Sequence, residues 1–313
     1  MSFQEREILV TGGTGFIGSN LCKKLVDTGD FRVTSFSNED PNPPLEGITY
    51  LRGDITSFNE VKDAVGDSSV IINLAALLGV FRSIEDIDLY VDVNIKGTVN
   101  VLKAATASGA RVEKFIQASS DAIYGEYPLI EGGIDENFSP LTPPNPYSVS
   151  KLAQEYFCHS YFYTHNLPLV ALRFSNAYGP GQREKNIIWT FIEDAAKAKP
   201  IVLFGEGRHG RDFTYITDIV QGIVKAIDRG RLNEAYHISS GSFIQIRDLA
   251  QLIAANFPGA EVAHVPANKA VVSQGFLSVT KARQDLGYNP QVSIKEGVTR
   301  CIFWYKREHG KED

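Results

Sequence analysis

Tyr147 and Lys151 stand four residues apart in Pro146-Tyr147-Ser148-Val149-Ser150-Lys151. On a helix that spacing puts both side chains on one face. An ammonium beside a phenol favours the phenolate and lowers a tyrosine pKa that is ordinarily about 10. Such a pair can take a proton from an alcohol and give it back. Read alone, the same residues also suit an exposed helix start. A second group lies in Ser119-Ser120-Asp121-Ala122-Ile123-Tyr124-Gly125, where the Ser120 hydroxyl can share a proton between a substrate hydroxyl and Tyr147. Its plain alternative is a strand-end turn held by hydroxyls. A third is Thr11-Gly12-Gly13-Thr14-Gly15-Phe16-Ile17-Gly18. Gly12 permits a tight turn, Gly15 lets backbone approach a pyrophosphate, and Gly18 lets helix and strand pack closely. The phosphates then meet the positive end of the following helix. A glycine-rich turn can be merely a turn, but directly after a first strand it points to a dinucleotide.

These groups need a scaffold. Short β-branched runs alternate with longer amphipathic stretches through the first half. Strands are expected at 8–10, 32–36, 48–51, 70–74, 114–118 and 169–174, and helices at 17–28, 59–65, 89–108 and 147–164. That alternation gives an α/β fold with a parallel sheet covered on both faces. Pro41, Pro43 and Pro44 leave no full helix between strands two and three. Ser120 follows strand five, and ligands bind at the carboxyl ends of parallel strands. The second half is less regular, with helices expected at 187–197, 216–228, 246–256 and 294–306 and strands at 201–204 and 235–238. No Gly/Ser/Pro-rich linker separates the halves, so a smaller lobe should pack directly on the larger.

At 313 residues the chain can form one large domain or two unequal ones. Its net charge of -6 argues against nucleic-acid or anionic-membrane partners. Cations for an anionic ligand must then be local. Cys22, Cys158 and Cys301 are odd in number, far apart and without a CxxC pair. That pattern predicts no disulfide framework, no metal site and a cytoplasmic protein. Ile8-Leu9-Val10, behind Glu5, Arg6 and Glu7, is too short for a signal peptide or membrane helix.

Dinucleotide sites of this kind usually carry an acid at the end of strand two, on the ribose hydroxyls. Ser37 falls there, followed by Asn38. A serine does not repel a 2′-phosphate as a carboxylate does. Glu39 and Asp40 follow and can substitute, and no arginine trails the strand to pair a 2′-phosphate. Alternatively, Ser37 simply opens a turn. Asp54, after strand three, suits the adenine amino group or, equally, a turn ahead of Ile55-Thr56.

The three motifs occur in order with Leu172-Arg173-Phe174-Ser175-Asn176-Ala177-Tyr178-Gly179-Pro180 and Gly210-Arg211-Asp212-Phe213-Thr214-Tyr215. Together they resemble the extended short-chain dehydrogenase family, in its nucleotide-sugar epimerase and dehydratase branch. The likeness runs from Ile8 to the segment ending at Tyr288. It implies a doubly wound, Rossmann-type domain over 1–175 and 213–242, and a smaller C-terminal α/β lobe over 176–212 and 243–313 that covers a sugar nucleotide. The implied cofactor is NAD, with NADP not excluded by Ser37. It would be held by Gly12, Gly15, Phe16, Ile17, Ser37, Asn38, Asp54, Ile55, Leu74, Ala75, Ala76, Asn94, Phe174, Tyr147 and Lys151. Ser120, Tyr147 and Lys151 would be the catalytic three. Ser83, Ser120, Asp121, Asn176, Trp189, Phe204 and Arg211 would contact the substrate, expected to be a UDP-sugar. Arg211 supplies the local cation the acidic chain needs; outside the family context it reads as a surface partner of Asp212. The family also implies a homodimer through the helices at 89–108 and 147–164.

Four positions depart from the family pattern. Ser37 replaces the common aspartate. Asn73 replaces a common histidine before Leu74-Ala75-Ala76. Trp189 replaces a common proline and either stacks on a base or fills core. Asn268-Lys269-Ala270-Val271 stands where an Arg-x-x-Asp contact is usual, which leaves the nucleotide base open. Dehydratases of the branch carry Thr-Asp-Glu where this chain has Ser120-Asp121-Ala122. Lacking the second carboxyl, the chain is expected to be a 4-epimerase. A dehydratase, a keto-sugar reductase and a non-catalytic dinucleotide sensor are the rivals, and the complete Ser-Tyr-Lys set argues against the last.

Overall fold

Unbroken valine and isoleucine runs form strands buried on both faces, as parallel sheets require. The computed structural model describes residues 6–107, 111–183, 186–266 and 274–310. Its first six strands are β1 (Arg6–Thr11), β2 (Phe31–Ser37), β3 (Ile48–Arg52), β4 (Val70–Asn73), β5 (Lys114–Ser120) and β6 (Leu169–Phe174). There follow β7 (Asn176–Tyr178), β8 (Ile201–Phe204), β9 (Gly210–Arg211), β10 (Phe213–Tyr215), β11 (Glu234–Ile238), β12 (Ile244–Gln245) and β13 (Val262–Val265). Seven strands form one parallel sheet in the order β11-β6-β5-β4-β1-β2-β3. The order reverses between β1 and β4, the kind of switch point beside which such sheets bind ligands at their strand ends.

Side chains alternate across each strand, and the core divides accordingly. Ile8, Val10, Val70, Ile72 and Ile116 join one apolar cluster. Leu9, Ile71 and Phe115 join another, with Val61, Val101 and Leu102 from the helices Phe58–Val65 and Gly97–Ala105. The first cluster also takes in Trp189, Ile192, Leu249 and Ile253, so the sheet and the second half of the chain share one core. Three two-stranded pairings stand outside the main sheet: β10 with β7, β12 with β9, and β13 with β8.

The expected strands are all present. Strand five runs two residues further than expected, so Ser119 and Ser120 complete the strand instead of starting a turn. No helix fills 38–47 behind the prolines. The single helix expected over 89–108 is corrected. It is a series: Val80–Glu85, Ile87–Tyr90, a π-helical turn at Val91–Lys96, and Gly97–Ala105. Asp86 breaks the series by accepting the Leu89 amide as an N-cap. The expected end at Ser108 lies outside the described residues, as do Asn268, Lys269, Ala270 and Val271.

Candidate active site

The glycine-rich turn is fixed by contacts that exclude larger residues. Gly12 has φ 67, and a Cβ there would lie 3.0 Å from the Ala75 backbone. At Gly18 a Cβ would overlap the Gly12 carbonyl oxygen. The Thr11 hydroxyl accepts the Ala75 amide at 3.2 Å, and the Leu74 amide donates to the Thr11 carbonyl at 3.2 Å. Leu74, Ala75 and the turn are thus one unit. The helix Phe16–Thr28 starts at Gly15 with no side-chain cap. The Gly15 amide donates to the Gly12 carbonyl at 3.0 Å, and the amides of Phe16 and Ile17 that follow are first-turn donors suited to an anion. This cradle fits the dinucleotide pyrophosphate. Asn73 is not an idle replacement. It accepts from the Thr11 hydroxyl at 2.6 Å and donates to Gln117 Oε1 at 2.9 Å, tying β1 to β4 and β5.

The helix Pro146–His165 carries Tyr147 and Lys151, the expected acid/base pair. Asn145 caps it by accepting the Ser148 amide at 3.0 Å, and Pro146 occupies its first turn. Lys151 is 3% exposed, and its Nζ donates to the Ala118 carbonyl at 2.7 Å. From Lys151 back to Tyr147 is about 6 Å along the helix. From Ala118 on to Ser120 is about 6.6 Å along β5. A helix joining two parallel strands runs against them, so both steps lead the same way, and Tyr147 comes to the Ser120 end of β5. Burial pushes Lys151 down to about 8, against the nearby Glu155 carboxylate, which raises it. Ser120 Oγ accepts the Ala122 amide at 3.1 Å and donates to Asp121 Oδ1 at 3.3 Å.

Asn94 sits in the π turn, fully buried. Its Oδ1 accepts the Leu77 amide at 2.7 Å, and its Nδ2 donates to Ser150 Oγ at 2.9 Å. Ser150 in turn donates to the Tyr147 carbonyl at 2.7 Å. π turns recur at functional sites because the widened turn re-aims a side chain. Here it is Asn94, which locks the loop after β4 to the first turn of the catalytic helix.

Beyond Ser120 the site becomes carboxylate-rich. Asp121 is buried, and Tyr127 donates to its Oδ2 at 3.4 Å. Burial, reinforced by Asp212, pushes its carboxyl up to about 7, while Arg211 pulls it down. Arg211 does not pair with Asp212. Its Nη1 donates to the Gly210 carbonyl at 2.7 Å, and its favourable electrostatic partners are Asp121 and Tyr127. Asp212 is instead saturated by Ser175, Ser239, Ser240 and the Leu277 amide. Asn176 faces Phe213 in the β7–β10 register, and its Nδ2 donates to the Asp212 carbonyl at 3.1 Å. Asn176, Asp121 and Arg211 therefore share one corner.

Other expected residues scatter. Trp189 is 4% exposed, packs edge-on against Trp304, and donates to Gln182 Oε1 at 3.2 Å. Of its two readings, that geometry favours filling core. Phe204 ends β8 at 43% exposure, where a flat partner can reach it. Ser83 is buried and donates to the Val80 carbonyl. Phe174 ends β6 opposite Ser120. Asp54 is exposed and accepts the Thr56 amide at 2.8 Å, so it is at least the turn residue of its second reading. Ile55 is buried under Gly97. Ala76 follows Ala75 half-buried, and Asn38 is exposed just past β2.

Sequence reasoning missed a buried chain behind the site. Arg173 donates to Glu155 Oε2 at 2.8 Å and to the Tyr124 hydroxyl at 2.6 Å. The Tyr124 hydroxyl meets His237 Nε2 at 2.6 Å, and His237 Nδ1 meets the Ser278 carbonyl at 3.0 Å. Burial pushes His237 down to about 3, so the ring is neutral. Its one N–H must then sit on Nδ1 for Ser278, leaving Nε2 to accept from Tyr124. Glu155 follows Lys151 by four residues, the same spacing that identified Tyr147. That was the available signal.

The site's likeness to known proteins is extensive. The family model for the NAD dependent epimerase/dehydratase family matches residues 8–239. A dTDP-glucose 4,6-dehydratase of Streptomyces niveus is 32% identical over 96% of this chain and 92% of its own. The UDP-glucuronic acid 4-epimerase from Bacillus cereus, solved with UDP-glucuronic acid and NAD, is 29% identical. Its TM-score is 0.88 over 96% of this chain and 99% of that one. The UDP-glucose 4-epimerase of Thermotoga maritima, solved with UDP-glucose, has a TM-score of 0.89 at 27% identity, covering 97% and 99%. Matched by the family model over residues 8–239 and by relatives along nearly its whole length, the chain belongs to the NAD dependent epimerase/dehydratase family.

Proposed function

We propose that the protein is an NAD-dependent nucleotide-sugar 4-epimerase whose substrate is a UDP-sugar. The observation that carries this reading is the run Ser120-Asp121-Ala122, in which a complete Ser–Tyr–Lys set has one adjoining carboxyl and not two. When bound in the glycine cradle, the dinucleotide would supply the hydride acceptor and donor for sugar C4. Tyr147 removes the proton of the 4-hydroxyl and later restores it. Ser120 bridges that hydroxyl and the phenol. Lys151, charged below about 8, stabilises the phenolate. Arg211 and Asn176 receive the diphosphate, and Phe204 the base. The 4-keto sugar turns between the two transfers, so atoms and charge balance with no group lost.

Elimination of water needs an acid for the leaving hydroxyl and a base for the C5 proton. Asp121, pushed up to about 7, qualifies as the acid. Ala122 offers no base. That single carboxyl keeps a 4,6-dehydratase as the second reading, and a keto-sugar reductase as the third. NMR identification of the products formed by purified protein from UDP- and dTDP-sugars, without added cofactor, separates them, and mass spectrometry decides between epimerase and dehydratase. Epimerisation conserves substrate mass; a product lighter by one water, formed with turnover, would overturn the epimerase in favour of the dehydratase.

The same reading includes a homodimer. Phe81, Ile84, Ile87 and Val91 stand exposed beside Val149, Tyr156 and Phe157 of the catalytic helix. Sedimentation at micromolar concentration giving monomer alone would contradict it. The three cysteines are free and buried, consistent with a reducing cytoplasm. Among the described residues, no helix is long and apolar enough to cross a membrane.

A further inference from the structure

The end of β2, where the adenosine ribose lies in such folds, lacks its usual carboxylate. Ser37 is buried there, and its Oγ accepts the Thr14 amide at 3.2 Å. That hydroxyl is committed to shaping the glycine turn. Just beyond it, two carboxylates and two guanidiniums converge from three separate segments. Glu39 pairs with Arg183 at 2.8 Å, and Asp40 pairs with Arg52 at 2.9 Å. Arg52 stands opposite Ser37 in the β2–β3 register, and the next amide, Gly53, donates to the Ser37 carbonyl at 2.9 Å. Arg183 arrives from the loop after β7, 144 positions along the chain from Glu39. No arginine trails β2 in sequence, yet folding delivers two to its end.

These four groups sum to zero charge. A ribose with free hydroxyls meets no net field there. A 2′-phosphate carries a charge of about −1.5 to −2 and wants guanidinium donors. Both guanidiniums are already paired, so a 2′-phosphate must displace a carboxylate to gain one. We propose that the Glu39–Arg183 and Asp40–Arg52 ion pairs select NAD over NADP, taking the part of the missing strand-end carboxylate. The proposal rests on the family's dinucleotide site and not on which sugar reaction the enzyme performs. All four side chains are more than half exposed. Exposed pairs add little to folding stability, so removing them leaves the fold standing.

The test is a competition. The purified full chain is equilibrated with equimolar NAD and NADP until a labelled NAD has exchanged. Bound dinucleotide is then released and quantified by mass spectrometry, with melting curves recorded alongside. Wild type should retain mainly NAD. The variant E39Q/D40N should melt with wild type and shift the bound ratio toward NADP by about tenfold or more. Adding R52A and R183A to it should abolish that gain. A ratio within about twofold of wild type in well-folded E39Q/D40N would overturn the proposal. So would a gain that survives loss of both arginines. Wild type that binds neither dinucleotide would overturn it too, and with it the dinucleotide site, whatever sugar chemistry is found.

Discussion

The two ends of the dinucleotide cleft are built on opposite terms. At the catalytic end, Lys151, Asn94 and Glu155 are buried, and each polar atom is held by a neighbour at a defined distance. At the proposed ribose end, Glu39, Asp40, Arg52 and Arg183 pair at 2.8 and 2.9 Å while reaching into solvent. In a dry site, loss of one partner strands the other, so effects are large and spread through the network. In a wet site, water replaces the lost partner, and only ligand choice should respond.

Substitutions can break or sharpen that contrast. Tyr147→Phe should lower turnover by about 10²- to 10⁴-fold with the fold and bound dinucleotide intact. Retention of more than about a tenth of wild-type kcat would remove Tyr147 from its role. Glu155→Gln leaves the Arg173 charge buried and unpaired, which should cost about 3–5 kcal/mol in urea denaturation. A loss below about 1 kcal/mol would mean that water reaches Arg173 and that the catalytic end is not dry. Turnover should also decline as pH rises past about 8. The sign follows from burial lowering Lys151 from 10.5, so its charge is present below that pH and lost above it. Activity flat to pH 10 would show that Lys151 is not the partner on which the phenolate depends. Smallest of all, Asp40→Asn should change stability by under about 1 kcal/mol, measured by the same denaturation. A larger loss would show that the ribose end is structural after all.

The sequence exposed those features that repeat at fixed short spacing. The apolar runs at 8–10, 70–73 and 169–174 announced buried strands because every face of them is covered. The placing of Tyr147 and Lys151 on one helix was legible from their spacing, and the glycine turn from its place behind β1. What stayed hidden was made by distant partners. Nothing local to Arg183 points to Glu39, and nothing local to Arg173 points to Tyr124, because sheet order brings them together. The π turn was missed because an extra residue per turn leaves apolar spacing nearly helical; only its buried polar residue, Asn94, betrays it. Trp189 kept two readings because an indole looks alike in sequence whether it greets a base or another tryptophan.

The apolar core that passes unbroken from sheet to smaller lobe has a kinetic consequence. Prising the lobes apart would tear Ile192 and Leu249 from the body they share with Ile8 and Val10, so a wide hinge is not an economical gate. Traffic must use surface segments, and different molecules then leave at different speeds. On the proposed reading, a sugar nucleotide would come and go past the exposed rim near Phe204. A dinucleotide laid across the sheet's strand ends would leave more slowly. A catalyst that hands back what it takes within one turnover has no need to let its coenzyme go. For such an enzyme, a body that cannot gape is a means of retention.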